Sequence, residues 1–134
     1  MSQVTDELKR EQGAINEAIK KAKELGPNTK AGADMFMAVK EKLLGYLRKG
    51  DQRLYAPLRN AAKSNRDLQF VLELNAQSAE LTTRSTEEFF AKYTSPKTDL
   101  EFIMDFGKVT ALVAQRIRNE QNVLLNEFDK HKLT

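Results

Sequence analysis

The sequence predicts an all-α fold, and within it an antiparallel up-down-up-down four-helix bundle. Three observations carry that expectation. Four long segments repeat apolar residues every three or four positions. The stretches between them are short and rich in Gly, Pro, Ser and Asn. No segment alternates as a strand would. At 134 residues the chain has room for one core, so a single domain over 1–134 is expected.

The first helix is expected over about residues 5–25. Thr5 reads as its N-cap, and Asp6 and Glu7 suit the positive end of the helix dipole. Val4, Leu8, Ile15, Ile19 and Ala22 mark its buried face, with Gln12 in the gap between Leu8 and Ile15. Gly26-Pro27 ends it. The second helix, over 31–63, carries Phe36, Val39, Leu43, Leu47, Leu54 and Leu58 on one stripe. Gly50 occupies a place on that stripe where a large apolar residue is expected, and Tyr46 lies one turn earlier. Pro57 predicts a bend. Lys63-Ser64-Asn65 is the turn into a third helix over 67–93, whose core face is Leu68, Val71, Leu72, Ala79, Phe89, Phe90 and Tyr93. Adjacent Phe89 and Phe90 are not both expected to point fully inward, which leaves one for an interface. Thr98-Asp99-Leu100-Glu101 reads as a capping box opening a fourth helix over 99–131. Its stripe is Phe102, Phe106, Val109, Val113, Ile117, Leu124 and Phe128, with Glu120 filling the place between Ile117 and Leu124 and Arg116 one turn earlier. Met35, Met37 and Met104 are expected as core filler beside Phe36.

Each helix thus carries an odd residue near mid-length: Gln12, Tyr46 with Gly50, Asn75, and Arg116 with Glu120. In an up-down bundle these fall at one level. A buried polar group costs roughly 1 to 3 kcal/mol unless it is hydrogen-bonded. A small polar network or a hydrated pocket is therefore expected there. If the network is only structural, Glu120→Leu is expected to be neutral or stabilising.

At these residues the chain resembles the hemerythrin-like (HHE) family of four-helix bundles. The family's first helix carries a pattern like E-H-x-x-I, where Glu11-Gln12-Gly13-Ala14-Ile15 places Gln12 at the histidine. Its second helix carries a pattern like H-L-x-x-E-D-x-x-L-Y-P. The run from Tyr46 to Pro57 keeps that frame, with Tyr46 at the His, Gly50 at the Glu and one residue inserted before the proline. Asn75 stands for the His of the third helix. The fourth helix keeps Glu120 of the pattern around Arg116-Ile117 and lacks the His. The resemblance implies a bundle that in its relatives holds a di-iron centre and senses or carries oxygen. It implies here a metal-free member, because a di-iron site needs several imidazole and carboxylate donors. The chain's one histidine, His131, lies near its end and is expected as an exposed tail residue.

Composition narrows the functional classes. There is no cysteine, hence no disulfide, thiolate metal site or cysteine nucleophile, and with no buried histidine expected there is no nucleophile–base pair to propose. No enzymatic activity and no cofactor are expected. No apolar run approaches the roughly 20 residues of a membrane helix, and the first residues lack a signal-peptide pattern, so a cytoplasmic location is expected. The net charge of +3 is too small to point to nucleic acid. Segment 30–66 is nevertheless basic, with nine Lys and Arg against three acidic residues, while segment 67–93 is acidic. Lys42, Arg48, Lys49, Arg53 and Arg59 form a candidate basic docking face. The expected role is an interaction, signalling or ligand-sensing module whose partner is another protein or a small ligand. The alternative is a degenerate metal-binding member of the same family.

Overall fold

The computed structural model describes residues 2–133. Met1 and Thr134, the two ends of the expected domain, lie outside the described residues. Four helices make up the fold: α1 (Gln3–Leu25), α2 (30–62), α3 (Arg66–Lys92) and α4 (100–130). There is no strand among the described residues. Helix α1 lies along α2, α2 along α3, α3 along α4, and α4 closes back on α1. Among the described residues no helix is long and apolar enough to cross a membrane.

Each helix starts on a side-chain oxygen that accepts from the amide three residues on: Ser2 from Thr5, Thr29 from Gly32, Asn65 from Leu68 and Asp99 from Phe102. Two expected caps are thereby corrected. Thr5 is inside α1, and its hydroxyl donates instead to Asp129 Oδ1 at 2.7 Å. The Thr98–Glu101 capping box does not form, because Asp99 takes the cap and Glu101 pairs with Lys92 at 2.5 Å. In the α1–α2 turn Gly26 adopts φ 78°, and a Cβ on Gly32 would stand 1.8 Å from the Gly26 carbonyl oxygen.

Helices α2 and α4 each contain one π-helical turn, Asp51–Tyr55 and Glu120–Leu124. Such a turn takes in one extra residue, so two consecutive side chains reach the interior. Leu54 and Tyr55 are both buried, as are Leu124 and Leu125. The residue inserted before Pro57, relative to the pattern above, falls where the α2 turn absorbs it. Pro57 sits in the first turn of the α-helical segment Ala56–Ala62, just past the irregular turn, and the chain stays right-handed helical through it.

All four helices contribute to one apolar core. Part of it is a cluster of rings in which Phe36 lies 6.1 Å from Phe89 and 5.5 Å from Phe90, centroid to centroid. Both phenylalanines of the adjacent pair are buried, which corrects the expectation that one would be left for an interface. Phe36 fills the angle between them, so α3 presents a wide buried arc here. Met37 and Met104 are 40% and 53% exposed and are not core filler: Met37 lies about 100° around its helix from buried Phe36, and Met104, two residues from both Phe102 and Phe106, lies on the far side of its helix from them. Met35 alone of the three packs at the core edge.

A buried Glu120–Arg116 network

Glu120 opens the π-turn of α4 and is 1% exposed. Each of its oxygens takes two donors. Oε1 accepts from Gln12 Nε2 of α1 at 3.1 Å and from the Tyr46 hydroxyl of α2. Oε2 accepts from the Tyr55 hydroxyl at 2.7 Å and from Arg116 Nε, one turn back on α4, at 2.9 Å. Gln12 Nε2 also reaches the Tyr46 oxygen at 2.7 Å, and Gln121 Nε2 donates to Gln12 Oε1 at 2.8 Å. The carboxylate is thus saturated from three helices.

Arg116 brings in the fourth. It is a full cation with 1% exposure, stacked over the Tyr55 ring with its Cζ 4.9 Å from the centroid. Its Nη1 donates to the Ala79 carbonyl at 3.2 Å and to Thr83 Oγ1 at 2.9 Å, both on α3. Its Nη2 donates to Asp51 Oδ1 at 3.2 Å, on a side chain still 44% exposed. Gly50 makes this placement possible, because a Cβ there would come within 3.1 Å of Nη2. The gap in the α2 stripe is therefore room for the guanidinium of another helix.

The electrostatics follow from that geometry. Burial and then the Glu120 charge hold the Tyr46 and Tyr55 hydroxyls above the usual phenol range, so both remain protonated donors. Burial alone would weaken the Arg116 charge. The charge and hydrogen bond of Glu120, joined by Tyr55 and Asp51, together outweigh it and hold the guanidinium's pKa above its ordinary value. The centre is a buried Glu120–Arg116 pair whose cation also meets the half-exposed Asp51, with every Glu120 oxygen engaged.

Of the residues expected at mid-bundle, Gln12, Tyr46, Gly50, Arg116 and Glu120 meet. Asn75 does not. Its side-chain amide donates to the Val71 carbonyl of its own helix at 2.8 Å, which satisfies it locally. The α3 contribution comes one and two turns later, from Ala79 and Thr83. Tyr55, Asp51, Thr83 and Gln121 belong to the network and escape sequence reasoning. The available signal was the pair Leu54-Tyr55, two consecutive large residues where a regular helix would bury one.

The five basic residues on α2 do not share one surface. Lys49 pairs with Glu7 at 2.7 Å and Glu11 at 3.1 Å, and Arg53 pairs with Glu7 at 2.9 Å, so both are taken up in the seam with α1. Hydrogen bonding from Lys49 holds the Glu7 carboxyl below its ordinary range. Arg48 and Arg59 instead line clefts between α2 and α3, and Lys42 is exposed. The break comes from helical geometry: Lys49 and Arg53, four residues apart, share the side facing α1, while Arg48 points about 100° away around the axis. His131 is only 24% exposed and lies 3.3 Å from Glu127, so it is not a free tail residue.

The donor set does not fit a dinuclear metal centre. Two phenols, an amide and a guanidinium surround the single carboxylate, and the guanidinium already supplies the positive charge beside it. Among the described residues no group of three or more His, Cys, Asp or Glu could hold a metal ion. Comparisons with protein-family models, with curated proteins and with solved structures return no match to this chain.

Proposed function

We propose that this chain is a metal-free, hemerythrin-like bundle of antiparallel up-down-up-down topology, acting in the cytoplasm as a non-enzymatic interaction or signalling module. One observation carries the reading: four donors saturate Glu120, and one of them is a buried cation. In the resembled family, that level of the bundle holds iron. Here Arg116 takes the place of the metal charge, and Tyr46, Tyr55 and Gln12 take the places of ligands and of the space between them. Charge balance is kept without an ion. Topology is supported by contacts between the start of α1 and the end of α4, as in the Thr5–Asp129 hydrogen bond, and by the short turns between successive helices. The burial of Glu120, Tyr46 and Gln12 speaks against catalysis at this centre, because a substrate would have no approach to them. With this centre closed, the reading places the function on the surfaces of the helices.

The test is metal content. Protein purified without chelators from iron-replete cells is expected to hold iron far below one atom per chain. Its melting temperature is expected to stay unchanged when ferrous iron is added anaerobically. Stoichiometric iron would overturn this reading in favour of a degenerate metal-binding protein.

A further inference from the structure

Helix α3 has a second apolar side. Opposite its core face it exposes Phe70, Leu74 and Leu81, at 63%, 67% and 46% of their full accessible area. Their spacing of four and then seven residues puts them on one seam. The seam runs about 16 Å along the helix. Three large apolar side chains in a row on a helix surface differ from the singly scattered ones of an ordinary exterior.

The flanks of the seam are unequal. On one side Glu73, Glu80 and Glu87 recur every seven residues and are all exposed. On the other side Val71, Ser78 and Ser85 are uncharged and half-buried. The glutamate side borders a cleft of about 380 Å³ between α2 and α3, where Asp51, Glu80, Glu87 and Glu88 face only Arg59 and Arg84. The surface therefore joins an apolar ridge to an acidic trough.

We propose that this face of α3 docks an amphipathic helix of another protein. Apolar residues of that helix cover Phe70, Leu74 and Leu81, and its lysines or arginines run beside them to meet Glu73, Glu80 and Glu87. A second copy of the chain fits less well. Two-fold antiparallel pairing of α3 with itself sets one glutamate row against the other. An anionic lipid surface would meet the same repulsion. The inference rests on the interaction-module reading and identifies its surface and the chemistry of its partner.

The experiment uses the full chain and two labelled synthetic helical peptides, both with leucine on the seam positions. One carries lysine beside the leucines, and the other carries glutamate there. Fluorescence anisotropy should show the lysine peptide binding at least tenfold tighter, with an affinity that falls as salt rises. Leu74→Lys should weaken that binding at least tenfold. Glu73→Lys, Glu80→Lys and Glu87→Lys combined should reverse the preference between peptides. These substitutions are exposed, so an unchanged melting temperature verifies the fold in each variant. Equal binding of the two peptides, or no response to Leu74→Lys, would overturn the proposal. So would a wild-type dimer in sedimentation that Leu74→Lys dissociates, which would identify a second copy as the occupant. Metal content tests the parent reading separately: a failed peptide experiment in iron-free protein removes this surface alone.

Discussion

Glu120 and Arg116 show why a buried polar residue is judged by its partners. With the partners known, the expectation that Glu120→Leu is neutral reverses. The substitution leaves Arg116, at 1% exposure, with only the half-exposed Asp51 as counter-charge, and it takes the acceptor from two buried phenols. Breaking one side of a buried pair typically costs about 3 to 5 kcal/mol, and urea denaturation should read a loss of that size. Replacing the pair together, Arg116→Met with Glu120→Leu, should recover a large part of it, since no charge is then stranded. Gly50 offers a finer test of the same contact. Ala in place of Gly in a helix interior normally gains about 1 kcal/mol. At Gly50 the new Cβ would press on Arg116 Nη2 at 3.1 Å, and that guanidinium is held by the Ala79 carbonyl, Thr83, Asp51 and Glu120. Gly50→Ala should therefore destabilise the wild type and stabilise an Arg116→Met background. A gain in both backgrounds would mean that the guanidinium is free to move aside.

At the scale of the helix, the π-turns explain both what could be read in the sequence and what could not. All four helices and their approximate limits were legible, because an apolar repeat sustained over six or more turns is a strong signal. Helix starts were less so. Ser2 and Thr5 can both cap, as can Thr98 and Asp99, and only tertiary partners such as Asp129 and Lys92 separate them. The network was half legible. Gln12, Tyr46, Gly50, Arg116 and Glu120 stand out as breaks in an apolar stripe. Tyr55 is hidden by a count of 3.6 residues per turn, which buries Leu54 and turns its neighbour outward. Asn75 misleads because its local bond to Val71 leaves no trace in the pattern. A deletion tests the role of the α2 turn. Removing Gln52, which is exposed, takes out the extra residue and should leave a regular helix with Leu58 and Ala62 still in register. Helical circular dichroism should persist, while stability drops about as far as in Tyr55→Phe, since one of Leu54 and Tyr55 must leave the interior. Loss of helicity beyond residue 55 would mean that the turn sets the downstream register instead of presenting Tyr55.

For the whole molecule, the buried phenols make stability depend on alkaline pH. Both Tyr46 and Tyr55 have pKa values raised above their unfolded value, so their protonated forms are favoured in the folded chain. Below the unfolded tyrosine pKa of about 10, both states hold these protons and the contribution is constant. Above it the unfolded chain releases protons that the folded chain keeps, and stability falls by up to about 1.4 kcal/mol per pH unit for each tyrosine. Lys49 is raised by its bond to Glu7 and Lys92 by its bond to Glu101, and both lose stabilisation in the same direction at high pH. The tyrosine share must therefore be read as a difference. Urea midpoints between pH 8 and pH 12 should fall more steeply in the wild type than in Tyr46→Phe/Tyr55→Phe. The variant is less stable near neutrality, because its Glu120 has lost two donors, and the two curves should converge as pH rises. Parallel curves would place the phenols in water-like surroundings and contradict the closed network from which the absence of a metal centre is argued.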